Sequence, residues 1–138
     1  MSTVITDNLT GKTSAGDVTI TSEGGAATMQ LQQGVGKVWS NVDNTGTIGV
    51  SDSFNVSSAT DEAGGQYKAS YTNNMSNTLY AWAGSMYTSG SFIAAVANTG
   101  NNSGTAASTS EISMAAEDVD GGFTDYDANT LMIMGDLA

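Results

Sequence analysis

The chain has 138 residues, a net charge of −11, three lysines, and no arginine, histidine, cysteine or proline. This length suits one domain, and so few basic groups exclude a protein that neutralises nucleic-acid phosphates or an anionic membrane surface. No apolar run approaches the roughly 20 residues that cross a bilayer, and the first residues lack the basic and apolar regions of a secretory signal peptide. We therefore expect a protein made in the cytoplasm without membrane insertion.

The apolar content is low for a folded domain. Leu, Ile, Val and Phe together make up less than a fifth of the residues, a level at which a strongly charged chain is suspected of disorder. Strand-favouring Thr, Val, Ile and Tyr nevertheless recur at period two throughout. A thin β-sheet protein can fold when neighbouring copies complete its core. We therefore expect an obligate oligomer, stabilised by packing and association rather than disulfides.

The first part of the chain has the pattern of an arm. Ser2 to Thr6 and Asp17 to Ser22 are short alternating segments around a polar turn at Gly11–Gly16. They could bury almost nothing alone, so residues 1–36 are predicted to be an N-terminal attachment and oligomerisation arm. Met29 to Trp39 fits both strand and helix spacing.

Residues 37–138 are predicted to be a β-rich body domain. A first hairpin turns at Asp43–Gly46, and a second, Asp52 to Thr72, turns at Asp61–Gly65. On the arms of the second hairpin, Phe54 and Val56 share one face, and so do Tyr67, Ala69 and Tyr71. Most of its other residues are polar. We expect that such a hairpin needs only a thin apolar stripe against a partner chain.

The later segments complete a predicted antiparallel β-fold. Thr78 to Tyr87 is the most aromatic strand, and apolar groups on both faces predict a central strand. Ser91 to Ala97 is a further strand, and Asn98 to Ser110 is a low-complexity loop. "EISMAA" and "TLMIMGDL" are closing strands. Short strands at this spacing predict an all-β, antiparallel sandwich or jelly-roll-like unit.

Two glycine-containing motifs invite a nucleotide-binding interpretation and fail it. "GKT" at Gly11–Thr13 has Thr6 where a P-loop needs its first glycine. "GVGK" at Gly34–Lys37 lacks the third glycine and the acidic ribose contact of a dinucleotide site. A polar turn and a tight bend are the favoured interpretations.

The C-terminal acidic cluster has a partial calcium-loop spacing. Positions 1, 3, 5 and 12 of a twelve-residue loop would be Asp125, Asp127, Asn129 and Asp136. Thr130 stands where such a loop needs glycine, and position 12 is Asp instead of the longer Glu. A solvated acidic turn is favoured, with a weaker calcium site as the alternative.

The residue types leave little room for catalysis. Without His and Cys, the chain cannot form a Ser–His–Asp triad, a Cys–His pair or a His-based zinc site. Two carboxylates could hydrolyse a glycosidic bond, and the candidate pairs are Asp61 with Glu62 and Glu117 with Asp118. Acidic residues are expected in Gly-rich turns in any case. We therefore predict no enzyme and assign no catalytic, cofactor-binding or metal-binding residues.

The larger aromatic side chains could form a sugar-stacking surface. The candidates are Trp39, Tyr80, Trp82 and Tyr87. Because the Thr78–Tyr87 strand carries apolar groups on both faces, a role in a core or an interface is favoured.

Three stretches carry a family resemblance: "MSTVITDNLTGKTSAGDVTITSEGGAATMQLQQG", "GKVWSNVDNTGTIGVSDSFNVSSATDEAGGQYKASYTNNMSNTLYAWAG" and "FTDYDANTLMIMGDLA". In this order they resemble the N-terminal segment, β-rich body and closing strand of small tail-fibre-like structural proteins of tailed bacteriophages, many of them marine. The resemblance covers most of the chain and is weakest over Thr88 to Ala116. It identifies no active site, and the chain lacks the long shaft of many fibres.

The resemblance implies a virion structural protein, typically a homotrimer with an attachment segment and a distal β-domain. Its expected partners are further copies of itself, other virion proteins of the tail or capsid, and a host surface glycan or protein. Val38, Trp39, Phe54 and Tyr67 are expected to pack within or across subunits. A capsid decoration protein is the alternative structural role. A carbohydrate- or calcium-dependent binding module, or a glycan depolymerase, is the alternative from another class.

Overall fold

The computed structural model describes residues 3–12, 14, 18–22, 24–87, 96–98, 107–117 and 122–138, with residues 96–98 described by their backbone alone. The chain divides into two compact units, Met1–Val35 and Gly36–Ala138. The roles predicted for residues 1–36 and 37–138 stay predictions.

The described ranges contain ten β-strands and one short 3-10 helix, η1. Their bounds are β1 Thr19–Thr21, β2 Thr28–Gln30, η1 Leu31–Gly34, β3 Val38–Asp43, β4 Gly49–Phe54, β5 Val56–Ala63, β6 Gln66–Tyr71, β7 Ala81–Tyr87, β8 Val96–Asn98, β9 Glu111–Glu117 and β10 Ala128–Met134. All of these strands pair antiparallel. The predicted all-β antiparallel class is confirmed.

The first unit contains a small hairpin. Strands β1 and β2 pair with Ile20 opposite Met29, and both side chains are exposed. The Leu31 N–H donates to the Val18 carbonyl at 2.7 Å as η1 begins. The ambiguous Met29–Trp39 segment is therefore a strand, a 3-10 turn and then the start of β3. A two-stranded hairpin with an exposed apolar pair is marginally stable by itself in water.

The second unit is built from two four-stranded sheets. The first sheet has the order β4-β3-β10-β7, and the second sheet has the order β5-β6-β9-β8. Buried side chains from both sheets form one hydrophobic cluster, so the architecture is β-sandwich-like. The first sheet contributes Val38, Val42, Leu131 and Ile133, and the second contributes Tyr67, Ala69, Ile112 and Met114. This cluster is formed within one chain, so the surface that a second copy could cover lies on the outer faces of the sheets.

Several predicted strands and turns are confirmed. Strands β3 and β4 form the first predicted hairpin, with a bulge between Asn41 and Val42. Strands β5 and β6 form the second, turning at Gly65 with a φ of 68°. Both closing strands are present as β9 and β10. Most of the predicted strand Ser91–Ala97 and of the loop that follows it lies outside the described residues.

The first strand predicted for the second hairpin, which starts at Asp52, is wrong in one respect. It is divided between the two sheets. Phe54 ends β4 and Val56 begins β5, and between them Asn55 adopts a φ of 60°. Asn tolerates this left-handed conformation better than most residues. Its Nδ2 donates to the Asn73 carbonyl at 3.0 Å, and its Oδ1 accepts from the Asn73 N–H at 2.7 Å. These bonds hold the chain where it crosses between sheets.

The prediction of a buried central strand over Thr78–Tyr87 is also wrong. Strand β7 begins only at Ala81 and lies at the edge of the first sheet. Leu79, which precedes it, is 91% exposed. The inward face of β7 buries Met86 and packs Trp82 against the core, while Ala81, Ala83 and Ser85 on its other face are exposed. Tyr80, just before the strand, also enters the core.

Candidate functional site

The outer face of the first sheet carries a row of apolar side chains. Val38 and Val42 point into the core, so Trp39 between them points outward. Trp39 pairs with Phe54 on β4 and with Met132 on β10, and Met132 pairs with Ala83 on β7. These four residues, the apolar row, cross all four strands of the sheet.

The apolar row is open to solvent. Phe54 is 52% exposed, Met132 49% and Trp39 41%, and Ala83 is exposed as well. A soluble monomer rarely leaves adjacent large apolar side chains uncovered, and such patches mark interaction sites. The row is the strongest candidate functional feature of the described residues.

A polar row lies next to the apolar row on the same face. It consists of Asp52, Asn41, Thr130 and Ser85, which are paired in that order across the sheet. The Ser85 and Thr130 hydroxyl oxygens are 2.7 Å apart. Asp52 accepts a hydrogen bond from the Ser53 N–H through Oδ1 at 2.8 Å. Carboxylate acceptors therefore lie on the β4 side, and hydroxyl groups lie on the β7 side.

The small residues of β7 leave a hollow beside the apolar row. Its volume is about 110 Å³, and its lining residues are Ala81, Trp82, Ala83, Met132 and Met134. A cavity of about 150 Å³ accepts a benzene ring. The hollow is therefore of the right order to receive part of an aromatic side chain.

The outer face of the second sheet is polar. On β6, Lys68 and Ser70 point away from the core and alternate with the inward-facing Tyr67, Ala69 and Tyr71. Thr60 on β5 pairs with Lys68 and points the same way. The Lys68 Nζ lies 3.6 Å from Glu111 Oε2 across the strands. Gln66, Ser113 and Ala115 lie on this same face and are buried. Among the described residues, a row of exposed large apolar side chains lies on the first outer face and not on the second.

The aromatic platform, the less favoured alternative for the larger aromatic side chains, is not formed. Tyr80 is buried, its hydroxyl lies 3.1 Å from that of Tyr71, and it donates to the Ser108 carbonyl at 3.0 Å. Trp82 is half-buried and packs against the core. Trp39 and Tyr87 remain exposed on the outer face of the first sheet. The core or interface interpretation of these residues describes their placement better than a common stacking surface.

The twelve-residue calcium loop, the less favoured alternative for the acidic cluster, is not formed either. Asn129 lies in β10, where its buried Nδ2 donates to the carbonyls of Val42 and Tyr126 at 2.9 and 2.8 Å. The segment that would have closed the loop is a regular strand paired on both sides. Within the described ranges, no group of three or more Asp, Glu, His or Cys residues is placed to hold a metal ion.

Asp125, which would be the first residue of the calcium loop, instead makes structural hydrogen bonds. Its Oδ1 accepts hydrogen bonds from the Gly65 N–H at 2.6 Å and from Asn44 Nδ2 at 3.1 Å. These contacts tie the chain before β10 to the β5–β6 turn and to the β3–β4 turn. Packing of the turns explains this carboxylate without a bound cation.

The structure of the described residues does not bring the remaining candidate motifs together into a site. Asp61 and Glu62 lie inside β5 rather than in a turn, at an irregularity in the strand pairing between Asp61 and Ala63. Thr13 of the "GKT" motif and Asp118 of the second carboxylate pair lie outside the described residues.

Sequence patterns identified only part of the apolar row. Trp39 and Phe54 were expected to pack within or across subunits, whereas Met132 and Ala83 were not singled out. The alternation of "LMIM" places Met132 on the face opposite Leu131 and Ile133, which is the signal that could have found it. Its neighbours could be identified only once the strand order was known.

No family model matches the chain, and no curated protein or solved structure shows detectable similarity to it. In the part of the chain that the structure describes, no helix is long and apolar enough to cross a membrane.

Proposed function

We propose that this chain is a non-enzymatic structural protein of a bacteriophage virion, a homotrimer that forms a tail-fibre-like appendage. In this role residues 1–36 attach the trimer to the particle, and the body domain faces outward toward a host surface. The family resemblance of the sequence supports the virion setting. The description of the body as jelly-roll-like and of the trimer as intertwined belongs to the same proposal.

The exposed apolar row is the observation that carries the proposal of assembly. Aromatic side chains contribute about 150–250 Å² each when they are buried, and apolar burial stabilises by roughly 25 cal/mol per Å². Covering the exposed parts of Trp39, Phe54 and Met132 therefore favours association by several kcal/mol before entropic costs. A structural protein assembled from copies of itself supplies such a cover in every particle.

The polar outer face of the second sheet supports the orientation of the body. The exposed Ser58 and Thr60 hydroxyls and the Lys68–Glu111 ion pair suit a surface that stays in water or makes many weak contacts, whereas Gln66, Ser113 and Ala115 on the same face are buried. We assign this face to the outside of the assembly, where a host glycan or protein would meet it. A capsid decoration protein is the alternative within the same class, because it also needs an attached oligomer with one solvated face.

Light scattering over a dilution series tests the assembly. The expected mass is about three times the 14.0 kDa of one chain, because an obligate trimer persists on dilution. Trp39→Ser combined with Phe54→Ser should lower the mass, whereas the control Leu79→Ser changes an exposed residue outside the row and should not. A well-folded monomer at every concentration would contradict the proposal.

Electron microscopy of labelled particles tests the virion role. Antibody label at the tail is the expected result, and label distributed over the capsid would favour the decoration role. Particles that carry no label would contradict both.

A further inference from the structure

We propose that the outer face of the first sheet binds the same face of a second copy, with the strands of both copies parallel and related by an axis that runs along them. This inference rests on the proposed assembly and names the partner of the apolar row. A rotation about such an axis leaves each row at the same height along the strands. It reverses the order in which the residues of the row are met across the sheet. The β4–β3 half of one copy then meets the β10–β7 half of the next.

The apolar row complements its own reverse. Read from β4 to β7, the row is Phe54, Trp39, Met132 and Ala83, so the two large aromatic rings lie on the β4–β3 half and the smaller side chains lie on the β10–β7 half. In the proposed contact Phe54 faces Ala83 of the next copy, beside the hollow of about 110 Å³ that the small residues of β7 leave open. Trp39 faces Met132, a flexible side chain that adapts to an aromatic ring. Large side chains therefore meet small or adaptable ones at every position.

The polar row complements its own reverse as well. Asp52 on β4 would face Ser85 on β7, and Asn41 would face Thr130. A carboxylate accepts hydrogen bonds, and the Ser85 hydroxyl can donate one by turning away from Thr130 Oγ1, which lies 2.7 Å away. The Thr130 hydroxyl already donates to the Ser85 carbonyl at 3.1 Å, so the Asn41 amide group would supply the donor to Thr130 Oγ1.

Further along the strands the same face carries Gly49 on β4 and Tyr87 on β7. Tyr87 is 48% exposed. In the reversed order this ring lies over Gly49 of the next copy, where no side chain obstructs it. In this row the large side chain is on β7 and the small one on β4, the opposite of the apolar row. The same rotation nevertheless brings a large side chain opposite a small one in both rows.

Charge repels any two copies, but it disfavours this order of contact less than orders that oppose carboxylates. Each copy carries a net charge of −11, so most juxtapositions of two copies bring carboxylates together. Here Asp52 meets hydroxyl groups, the apolar row has no charged side chain, and Asp43, the other carboxylate on this face, would lie opposite Ala128 rather than another carboxylate. A contact without like charges opposed avoids a cost that random contacts would incur.

The face is large enough for a specific contact. Four strands about 4.8 Å apart and seven residues rising about 3.3 Å each cover on the order of 440 Å² in projection. A standard interface buries about 800 Å² of accessible surface per partner. When the whole face meets one partner, projection alone supplies more than half of this value, and protruding side chains add to it. In a threefold assembly the same face is shared between two neighbours.

Chemical cross-linking tests the predicted register, since the native chain contains no cysteine. Phe54→Cys and Ala83→Cys are combined in one full-length chain and treated with a short bis-maleimide. Within a chain these positions are three strand spacings apart, about 14 Å, beyond the reach of the reagent. The expected products are covalent oligomers, which are dimers for twofold closure and trimers for threefold closure.

The matched control combines Phe54→Cys with Tyr87→Cys, which lies four residues, about 13 Å, further along β7. It should cross-link at least tenfold less, as should each single variant. Equal yields from the in-register and off-register pairs would overturn the inference, and so would a folded oligomer that gives no product. If light scattering still shows the trimer in that case, the proposed assembly stands and its contact lies elsewhere. Covalent dimers would support the contact and contradict the trimer.

Discussion

At the scale of single residues, the core is notable for buried phenols. The rings of Tyr71 and Tyr80 meet edge to face, with centroids 6.4 Å apart, and their hydroxyls are hydrogen-bonded. Tyr67 is fully buried in the same cluster. Burial raises the pKa of Tyr67, Tyr71 and Tyr80 above the ordinary tyrosine value. The folded chain therefore retains protons that the unfolded chain releases.

This difference predicts loss of stability in alkali. The stabilisation is complete below the unfolded tyrosine pKa of about 10 and is lost as the pH rises from there toward the higher folded values. Each buried tyrosine should raise the unfolding equilibrium constant by up to about tenfold per pH unit in that window. Urea unfolding between pH 8 and 12 measures it. Tyr71→Phe should show a shallower pH dependence, and an unchanged slope would contradict the assignment.

At the scale of elements, one glycine joins the second sheet to the segment before β10. Gly65 has a φ of 68°, its N–H donates to Asp125 Oδ1 at 2.6 Å, and its carbonyl accepts from the Ala116 N–H at 2.7 Å. A Cβ at this position would contact the Thr124 N–H and lie 2.8 Å from the Phe123 carbonyl carbon. The turn therefore requires glycine for its conformation and for this close approach.

Gly65→Ala is accordingly expected to lower the free energy of unfolding by about 3 kcal/mol or more, since backbone atoms cannot move aside cheaply. The neighbouring Gly64→Ala is the matched control, because a Cβ there meets nothing within 4 Å. Its effect should stay within about 0.5 kcal/mol. Denaturant unfolding of both variants measures the difference, and equal losses would show that the close approach is unimportant.

Local patterns predicted the hairpins but not the order of the strands. Turn residues at Asp43–Gly46 and at Gly65 announce chain reversal within a few residues. By contrast, the position of β7 at a sheet edge depends on its pairing with β10, more than 40 residues away. Asn55 redirects the chain between sheets within a single residue. The apolar row could therefore be recognised only in part, since Met132 and Ala83 become neighbours of Trp39 through long-range pairing.

At the scale of the whole molecule, charge opposes the proposed assembly. Copies with a net charge of −11 repel one another, and the apolar row must overcome this repulsion. Salt reduces the Debye length from about 30 Å at 0.01 M to about 8 Å at 0.15 M. Association driven by apolar contact should therefore strengthen several-fold over this range.

Light scattering at fixed protein concentration measures this dependence. The Trp39→Ser and Phe54→Ser double variant should remain the smaller species at both salt concentrations. An assembly that dissociates as salt is added would instead indicate ion pairs between copies and would contradict an apolar contact.

The polar outer face of the second sheet has a consequence for inheritance. Along β6, outward Lys68 and Ser70 alternate with buried Tyr67, Ala69 and Tyr71, so neighbouring codons specify surface and core in turn. A point mutation at the Lys68 or Ser70 codon changes what the surroundings meet with little effect on the packing beneath, whereas Gln66 on the same face is buried. The sequence of such a face can change over generations, while the outer face of the first sheet keeps the same proposed contacts with other copies.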